Sequence, residues 1–166
     1  MKLLLRSGKM AVKGTSDQSI KPDGAGASSL SVPPEYGILG MLRQFVIEQA
    51  RSFGLSDHAI DSLTLAVDEA ATNIIEHAVR GMPHAITCTC RRDEPSATVL
   101  CQLDYDSPHP FTLEEPPKKA AIHERVRSLT PGGLGVYLVH TLVDAVEYGR
   151  SGEKNVILLK MRLDNS

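Results

Sequence analysis

Residues 63 to 79, with the sequence LTLAVDEAATNIIEHAV, constrain the fold of this 166-residue chain more than any other stretch. At a helical period of 3.6 residues, one stripe is apolar, which predicts a helix that packs against a core. The stripe consists of Leu63, Val67, Ala70, Ile74 and Ala78. A second row, with a spacing of four residues, carries Glu69, Asn73 and His77. The predicted helix therefore has one apolar face and one row of polar groups.

The carboxylate of Glu69 and the carboxamide of Asn73 are one helical turn apart and point into the same space. A carboxylate can accept a proton, and an amide oxygen can bind a hard cation. An acid and an amide in this arrangement are suited to a metal-bound phosphate. The alternative is that the row is only the solvated face of an amphipathic helix, as most such faces are. The helix alone leaves both interpretations open.

The composition indicates one ordinary globular domain that is long enough to bury a core, with 42% hydrophobic and 23% charged residues. Its 18 basic and 20 acidic residues give a formal net charge of -2, without the basic excess of a nucleic-acid-binding protein. No apolar run approaches the roughly 20 residues of a membrane helix, and residues 2–5 are too few for a signal-peptide core. We therefore expect a cytoplasmic protein that binds neither nucleic acid nor membrane.

The chain contains three cysteines, Cys88, Cys90 and Cys101. An odd number in a chain without an export signal favours reduced thiols over a disulfide framework. Cys88 and Cys90 would share one strand face, which is compatible with a metal site, but the chain has no CxxC pair. Buried thiols are therefore the preferred interpretation.

Residues 1–27 mix glycine, serine, lysine, aspartate and glutamine without a period, which predicts a flexible extension. The folded domain is expected over residues 28–166. It starts with a short strand at residues 30–32, followed by an amphipathic helix that stops at Gly54. Ser56 is then the expected N-cap of the helix that carries Glu69 and Asn73.

The second half of the chain predicts an antiparallel hairpin, a long polar loop, a third helix and two closing strands. The hairpin falls at residues 84–91 and 97–105, the loop at 113–130, the helix at 136–146 and the last strand at 155–163. Together with the first half, this order predicts an α+β fold. We expect a two-layer sandwich in which about three helices cover one face of a mixed, mostly antiparallel sheet.

The segment Pro131-Gly-Gly-Leu-Gly135 leads directly into the third predicted helix. Glycines before a helix leave backbone N–H groups accessible at the positive end of the helix dipole, which is a suitable place for an anion. Many helices follow glycines for steric reasons alone, so this segment gains weight only in combination with Glu69 and Asn73.

Four features together resemble the Bergerat-fold ATPase superfamily of gyrases, histidine kinases and mismatch-repair ATPases. They are AVDEAATNIIEHA, the strand that ends at Asp106, the long loop, and GGLGVYLVHTLVDAVEY. Within the superfamily, the chain is most similar to the small anti-sigma regulatory factors that are also serine-protein kinases. The resemblance covers residues 29–163, and it implies a Bergerat ATPase fold for residues 28–166.

The resemblance implies a role for each matching position. Asn73 would hold the Mg²⁺ that bridges the phosphates of ATP, and Glu69 would be the general base that deprotonates a serine of the partner. Asp106 would accept the adenine amino group. Gly133 and Gly135 would mark the hinge of the loop that folds over the phosphates.

His77 fits the same helical row, either as a further residue of the nucleotide site or as a structural histidine. The implied function is that of an anti-sigma factor that uses ATP and Mg²⁺ to phosphorylate a STAS-type anti-sigma-antagonist in a partner-switching circuit. The implied partners are this antagonist and a sigma factor, and the implied assembly is a homodimer.

The sequence departs from the family at two positions. Pro108 stands where relatives carry a glycine after the nucleobase aspartate, which removes an N–H donor. Leu158 stands about where many relatives carry a threonine near the adenine. These departures support an alternative, a non-catalytic partner-binding module of the same fold. A histidine-kinase catalytic domain is disfavoured, because the chain leaves no room for a helical hairpin with a phospho-acceptor histidine.

Overall fold

Seven strands form a single sheet in the computed structural model of the chain, which describes residues 2–6, 9–13, 26–79, 82–108 and 134–163. The strands are β1 (Lys2–Arg6), β2 (Lys9–Lys13), β3 (Ser28–Val32), β4 (Ile86–Asp93), β5 (Thr98–Asp106), β6 (Ala145–Ser151) and β7 (Lys154–Arg162). Their order across the sheet is β2-β1-β6-β7-β5-β4-β3.

All six pairings between the described strands are antiparallel, which agrees with the predicted mostly antiparallel sheet and differs only in that no described pair is parallel. Short turns explain much of this difference. Strands β4 and β5 are separated by residues 94–97, and β6 and β7 by residues 152–153. Connections of this length can join only antiparallel neighbours, because a parallel pair needs a crossover of a dozen or more residues.

The three α-helices in the described part of the chain pack on one face of this sheet, which confirms the predicted α+β fold class. They are α1 (Leu39–Ser52), α2 (Asp57–Asn73) and α3 (Leu134–Leu142). A single 3₁₀ turn, Tyr36–Ile38, precedes α1, and a π-helical turn, Ile74–Ala78, continues α2. In the described part of the chain, no helix has the length and apolar character needed to cross a membrane.

Helix α2 and the π turn that follows it bury most of the predicted apolar stripe, and only Ala78 at its end is partly exposed. Leu63 and Ile74 are fully inaccessible, and Val67 and Ala70 are 1% and 3% exposed. Burying a leucine or isoleucine side chain completely stabilises a fold by about 1.5–3 kcal/mol, so this stripe fixes the rotation of α2 about its axis. The row that carries Glu69 and Asn73 is thereby turned away from the centre of the core.

The connection between α1 and α2 follows the predicted signals. Gly54 adopts a φ of +90°, a conformation that other residues rarely adopt. Ser56 caps α2, since its Oγ accepts a hydrogen bond from the backbone N–H of Ala59 at 3.4 Å. The predicted N-cap is therefore confirmed.

The third helix is shorter than predicted. It ends at Leu142, and the chain from Ala145 onward forms β6, so Val146 is buried as a strand residue rather than as a helix residue. At the change of direction, Asp144 binds β7: its carboxylate accepts from the Arg162 backbone N–H at 2.7 Å and from the Arg162 guanidinium at 3.0 Å. Pairing with β7 prevails over the helical periodicity of this segment.

Residues 1–27 were predicted to be a flexible extension, but ten of them form strands in the structure. Lys2–Arg6 and Lys9–Lys13 form a hairpin, and β1 pairs with β6 from Leu3↔Tyr148 to Arg6↔Ala145. The three central residues of each strand are apolar, LLL in β1 and MAV in β2. Adding them to the sheet satisfies backbone groups of β6 that would otherwise form an open edge. The boundary at residue 28 stays a prediction.

Candidate active site

Helix α3 comes close to α2 at Gly135. A Cβ atom built on Gly135 would lie 2.6 Å from Oε2 of Glu69 and 3.7 Å from Nδ2 of Asn73. The first distance is shorter than any ordinary carbon–oxygen contact, so a larger residue at position 135 would have to displace the carboxylate from this position. The structure therefore brings together the acid, the amide and one glycine of the GGLG segment. Gly133 and the long loop at residues 113–130 lie outside the described residues.

The surroundings of Glu69 make its carboxyl a better proton acceptor than a free glutamate. Partial burial raises its pKa above the ordinary value, and the negative charges of Asp68 and Glu76 raise it further. The effect of Asp68 is limited by its ion pair with Arg43, whose Nε lies 3.0 Å from Oδ1 of Asp68. A raised pKa brings a carboxylate closer to the range in which general bases work best.

The π-helical turn begins immediately after Asn73. Its characteristic hydrogen bond runs from the N–H of Val79 to the carbonyl of Ile74, at 3.1 Å. The wider turn interrupts the regular four-residue row, and the side chain of His77 is 72% exposed, with Nε2 3.5 Å from Oε2 of Glu76. Isolated π turns occur frequently at functional sites. The role of His77 at a nucleotide site stays a prediction.

Asp106 lies at the exposed end of β5, opposite Lys154 of β7. The next residue, Ser107, is 1% exposed and anchors this strand end. Its Oγ donates to the carbonyl of Ala78 at 2.9 Å, and its N–H donates to the carbonyl of Glu153 at 2.8 Å. These two bonds hold Asp106 near the end of the π turn. That turn continues the helix that carries Glu69 and Asn73.

Replacing Ser107 with alanine is expected to lower the free energy of unfolding by about 1–3 kcal/mol, because the partly buried Ala78 carbonyl loses this hydrogen-bond donor. Urea denaturation measures this loss. The matched control is Ser31→Ala, which removes an exposed 2.8 Å contact with Thr87 and is expected to change stability by less than about 0.5 kcal/mol. Equal values for the two variants would show that Ser107 does not anchor β5.

Alternation along β7 corrects the interpretation of Leu158. Ile157 and Leu159 belong to the core under the helices, so Leu158 points to the opposite face of the sheet, where it pairs with Gln102 and Glu147. Leu158 was predicted to lie near the adenine, but its side chain lies on the face away from α2.

The buried polar side chain on the helix-facing side of β7 is Asn155, to which the sequence analysis assigned no role. Asn155 is 2% exposed and pairs with Tyr105, next to Asp106. Its Oδ1 accepts from Arg150 at 3.2 Å, and its Nδ2 donates to the carbonyl of Glu153 at 3.2 Å. The available signal was that Asn155 is the first member of a row of alternate positions that otherwise holds the apolar residues Ile157, Leu159 and Met161.

The donor set at Asn73 fits Mg²⁺ only in combination with a phosphate ligand. Among the described residues, no three His, Cys, Asp or Glu side chains are grouped in a way that would hold a metal ion. Mg²⁺ is commonly held by one or two protein oxygens together with substrate phosphates and water. Asn73, beside Glu69 and the glycine start of α3, can supply one such oxygen.

Comparison with known proteins agrees with this geometry. Residues 32–161 match the family model described as the histidine kinase-like ATPase domain. The chain belongs to this family. Among curated relatives, the serine-protein kinase RsbW of Listeria innocua is 32% identical over 135 residues, covering 79% of this chain and 83% of the relative. RsbW of Bacillus mycoides is 24% identical over 131 residues, covering 79% and 82% of the two chains.

The resemblance to the anti-sigma regulatory kinase branch of the ATPase superfamily is thus confirmed. A solved structure of the RsbU and RsbW domains of a Mycobacterium tuberculosis protein superposes with a TM-score of 0.57 at 13% identity, covering 84% of this chain and 33% of that chain. This similarity supports the histidine kinase-like ATPase fold of the present chain.

Proposed function

We propose that this member of the histidine kinase-like ATPase family is an anti-sigma factor and an ATP-dependent serine/threonine protein kinase that phosphorylates a STAS-type anti-sigma-antagonist. The observation that carries the proposal is the meeting of Glu69 and Asn73 at Gly135, with the carboxylate 2.6 Å from the position of a Cβ. The RsbW relatives, named as serine-protein kinases, support the same class of reaction.

Bound Mg²⁺-ATP would supply the phosphoryl group, and this chain would supply positioning and proton transfer. Asn73 would hold the cation. Glu69 would orient the serine hydroxyl of the partner and take its proton, which its raised pKa favours. Asp106, fixed by Ser107, would accept the adenine amino group. Gly133 and Gly135 would form the hinge beside the phosphates.

A non-catalytic partner-binding module is the second candidate, and only one of its two original supports remains. Leu158 faces away from the helices and does not bear on a nucleotide between them. Pro108 still lacks the N–H donor of a glycine, and its carbonyl accepts from Arg150 at 3.3 Å.

The kinase proposal also includes an assembly and a location. The protein would be a cytoplasmic homodimer that exchanges between a sigma factor and the antagonist.

Calorimetric titration with ATP and Mg²⁺ separates the two candidates. We expect saturable, Mg²⁺-dependent binding by the wild type. In Asn73→Ala, we expect affinity to fall by about tenfold or more and to lose its dependence on Mg²⁺, because the protein oxygen on the cation is gone. His77→Ala, a change at an exposed position of the same helix, tests the remaining predicted nucleotide contact in parallel.

A wild-type protein that gives no heat with ATP and Mg²⁺ at millimolar concentrations would contradict the kinase proposal and favour the binding module. Binding that is equally tight in Asn73→Ala, with or without Mg²⁺, would instead remove Asn73 from the site.

A further inference from the structure

The core contains a cluster of three free thiols that the proposed kinase reaction does not use. Cys88 and Cys90 of β4 and Cys101 of β5 are all fully inaccessible to solvent and lie on the sheet face that packs against the helices. Their burial confirms the sequence prediction of buried thiols. In the described part of the chain, they form no group suited to a metal ion.

Two of these thiols are direct neighbours across the sheet. Cys90 and Cys101 are partners in the antiparallel ladder of β4 and β5, and their Sγ atoms are 2.8 Å apart. An S–S bond is about 2.05 Å long, so the sulfur atoms need to approach by less than about 1 Å. Cys88 pairs with Leu103 instead, two positions along the ladder.

We propose that Cys90 and Cys101 form a redox-active pair that closes into a cross-strand disulfide within the folded protein, with hydrogen peroxide as the class of oxidant. Each thiol loses its hydrogen, the two sulfur atoms each give up one electron and form the S–S bond, and the peroxide is reduced to two molecules of water. Cys88 remains a free thiol in the oxidised protein.

The geometry also indicates that the bond is reversible. Directly opposite residues of an antiparallel pair have Cβ atoms about 4.5–5.5 Å apart, whereas a disulfide prefers about 3.5–4.5 Å. Closing the bond therefore draws β4 and β5 together beyond their usual spacing, and a disulfide under such strain is more easily reduced. The bond would tie β4 to the strand that ends at Asp106.

The cysteines of the two strands can be placed on different peptides, because Arg91 and Arg92 lie between Cys90 and Cys101. Trypsin therefore places Cys88 and Cys90 on one peptide and Cys101 on another. The folded full-length protein is treated with hydrogen peroxide, denatured at low pH, alkylated, digested and examined by mass spectrometry. We expect a cross-linked peptide pair that joins Cys90 to Cys101, with the alkyl group on Cys88, and loss of the cross-link with dithiothreitol.

Variants provide the matched comparison. Cys88→Ala is expected to retain the cross-link, and Cys90→Ala and Cys101→Ala are expected to lose it. In the wild type and in Cys88→Ala, but not in the other two variants, oxidation is also expected to raise the thermal midpoint, since a cross-link restricts the unfolded chain. Three alkylated thiols after treatment of the folded protein, or a cross-link between Cys88 and Cys101, would overturn the proposal. These outcomes do not depend on whether the protein is a kinase.

Discussion

Glu69→Gln is expected to reduce phosphoryl transfer by about 10²- to 10⁴-fold while leaving ATP affinity nearly unchanged. Glutamine keeps the shape of the side chain beside Gly135 but cannot take the proton of a serine hydroxyl. Transfer of the γ-phosphoryl group from radiolabelled ATP to purified STAS-domain proteins of the same organism measures the loss, and calorimetry measures the affinity. Similar transfer rates in variant and wild type would exclude Glu69 as the general base.

The same residue predicts the pH dependence of the reaction. Since partial burial, Asp68 and Glu76 all raise the pKa of Glu69, the transfer rate should fall as the pH drops through that raised value, earlier than for an ordinary glutamate. Asp68→Asn is the matched control. It removes one of the neighbouring charges, so it should shift the acid limb of the rate profile to lower pH while transfer at neutral pH persists. A profile that is identical in Asp68→Asn and wild type would contradict this assignment.

Gly135→Ala is expected to make the protein more stable and less active. Alanine is the better helix former by up to about 1 kcal/mol, so the free energy of unfolding should rise by a few tenths of a kcal/mol or more. Its methyl group would stand 2.6 Å from Oε2 of Glu69 and must displace that flexible carboxylate. A displacement of about 1 Å commonly costs about 10²-fold in rate, and phosphoryl-transfer assays together with urea denaturation test both effects.

Gly40→Ala provides the control for helix propensity. Gly40 is the second residue of α1, as Gly135 is of α3, but a Cβ at Gly40 meets no atom within 4 Å. We expect Gly40→Ala to gain similar stability and to keep full activity. An unchanged transfer rate in Gly135→Ala would show that the close approach of α3 to Glu69 has no part in the reaction.

Local patterns were sufficient for much of the fold. The apolar stripe of α2, the Ser56 cap and the hairpin of β4 and β5 are encoded within a few residues each, and all three occur as predicted. Prediction failed where long-range pairing competes with local preference. The segment from Ala145 continues a helical pattern, but its backbone groups pair with β7 instead. Likewise, the sequence of β7 does not show which of its two faces the helices cover. Leu158 was therefore placed near the nucleotide by mistake, and Asn155, which lies on the helix-facing side, was overlooked.

The sequence by itself determined that Glu69 and Asn73 share one side of a helix, because side chains four residues apart on a helix must lie together. It also indicated the family through the residues around them. Only the tertiary structure decided that Gly135 contacts this pair from another helix, and that Cys90 and Cys101 face each other across two strands. The physical reason is that contacts between distant segments depend on how whole helices and strands pack against each other. The local periodicity of a sequence does not encode this packing.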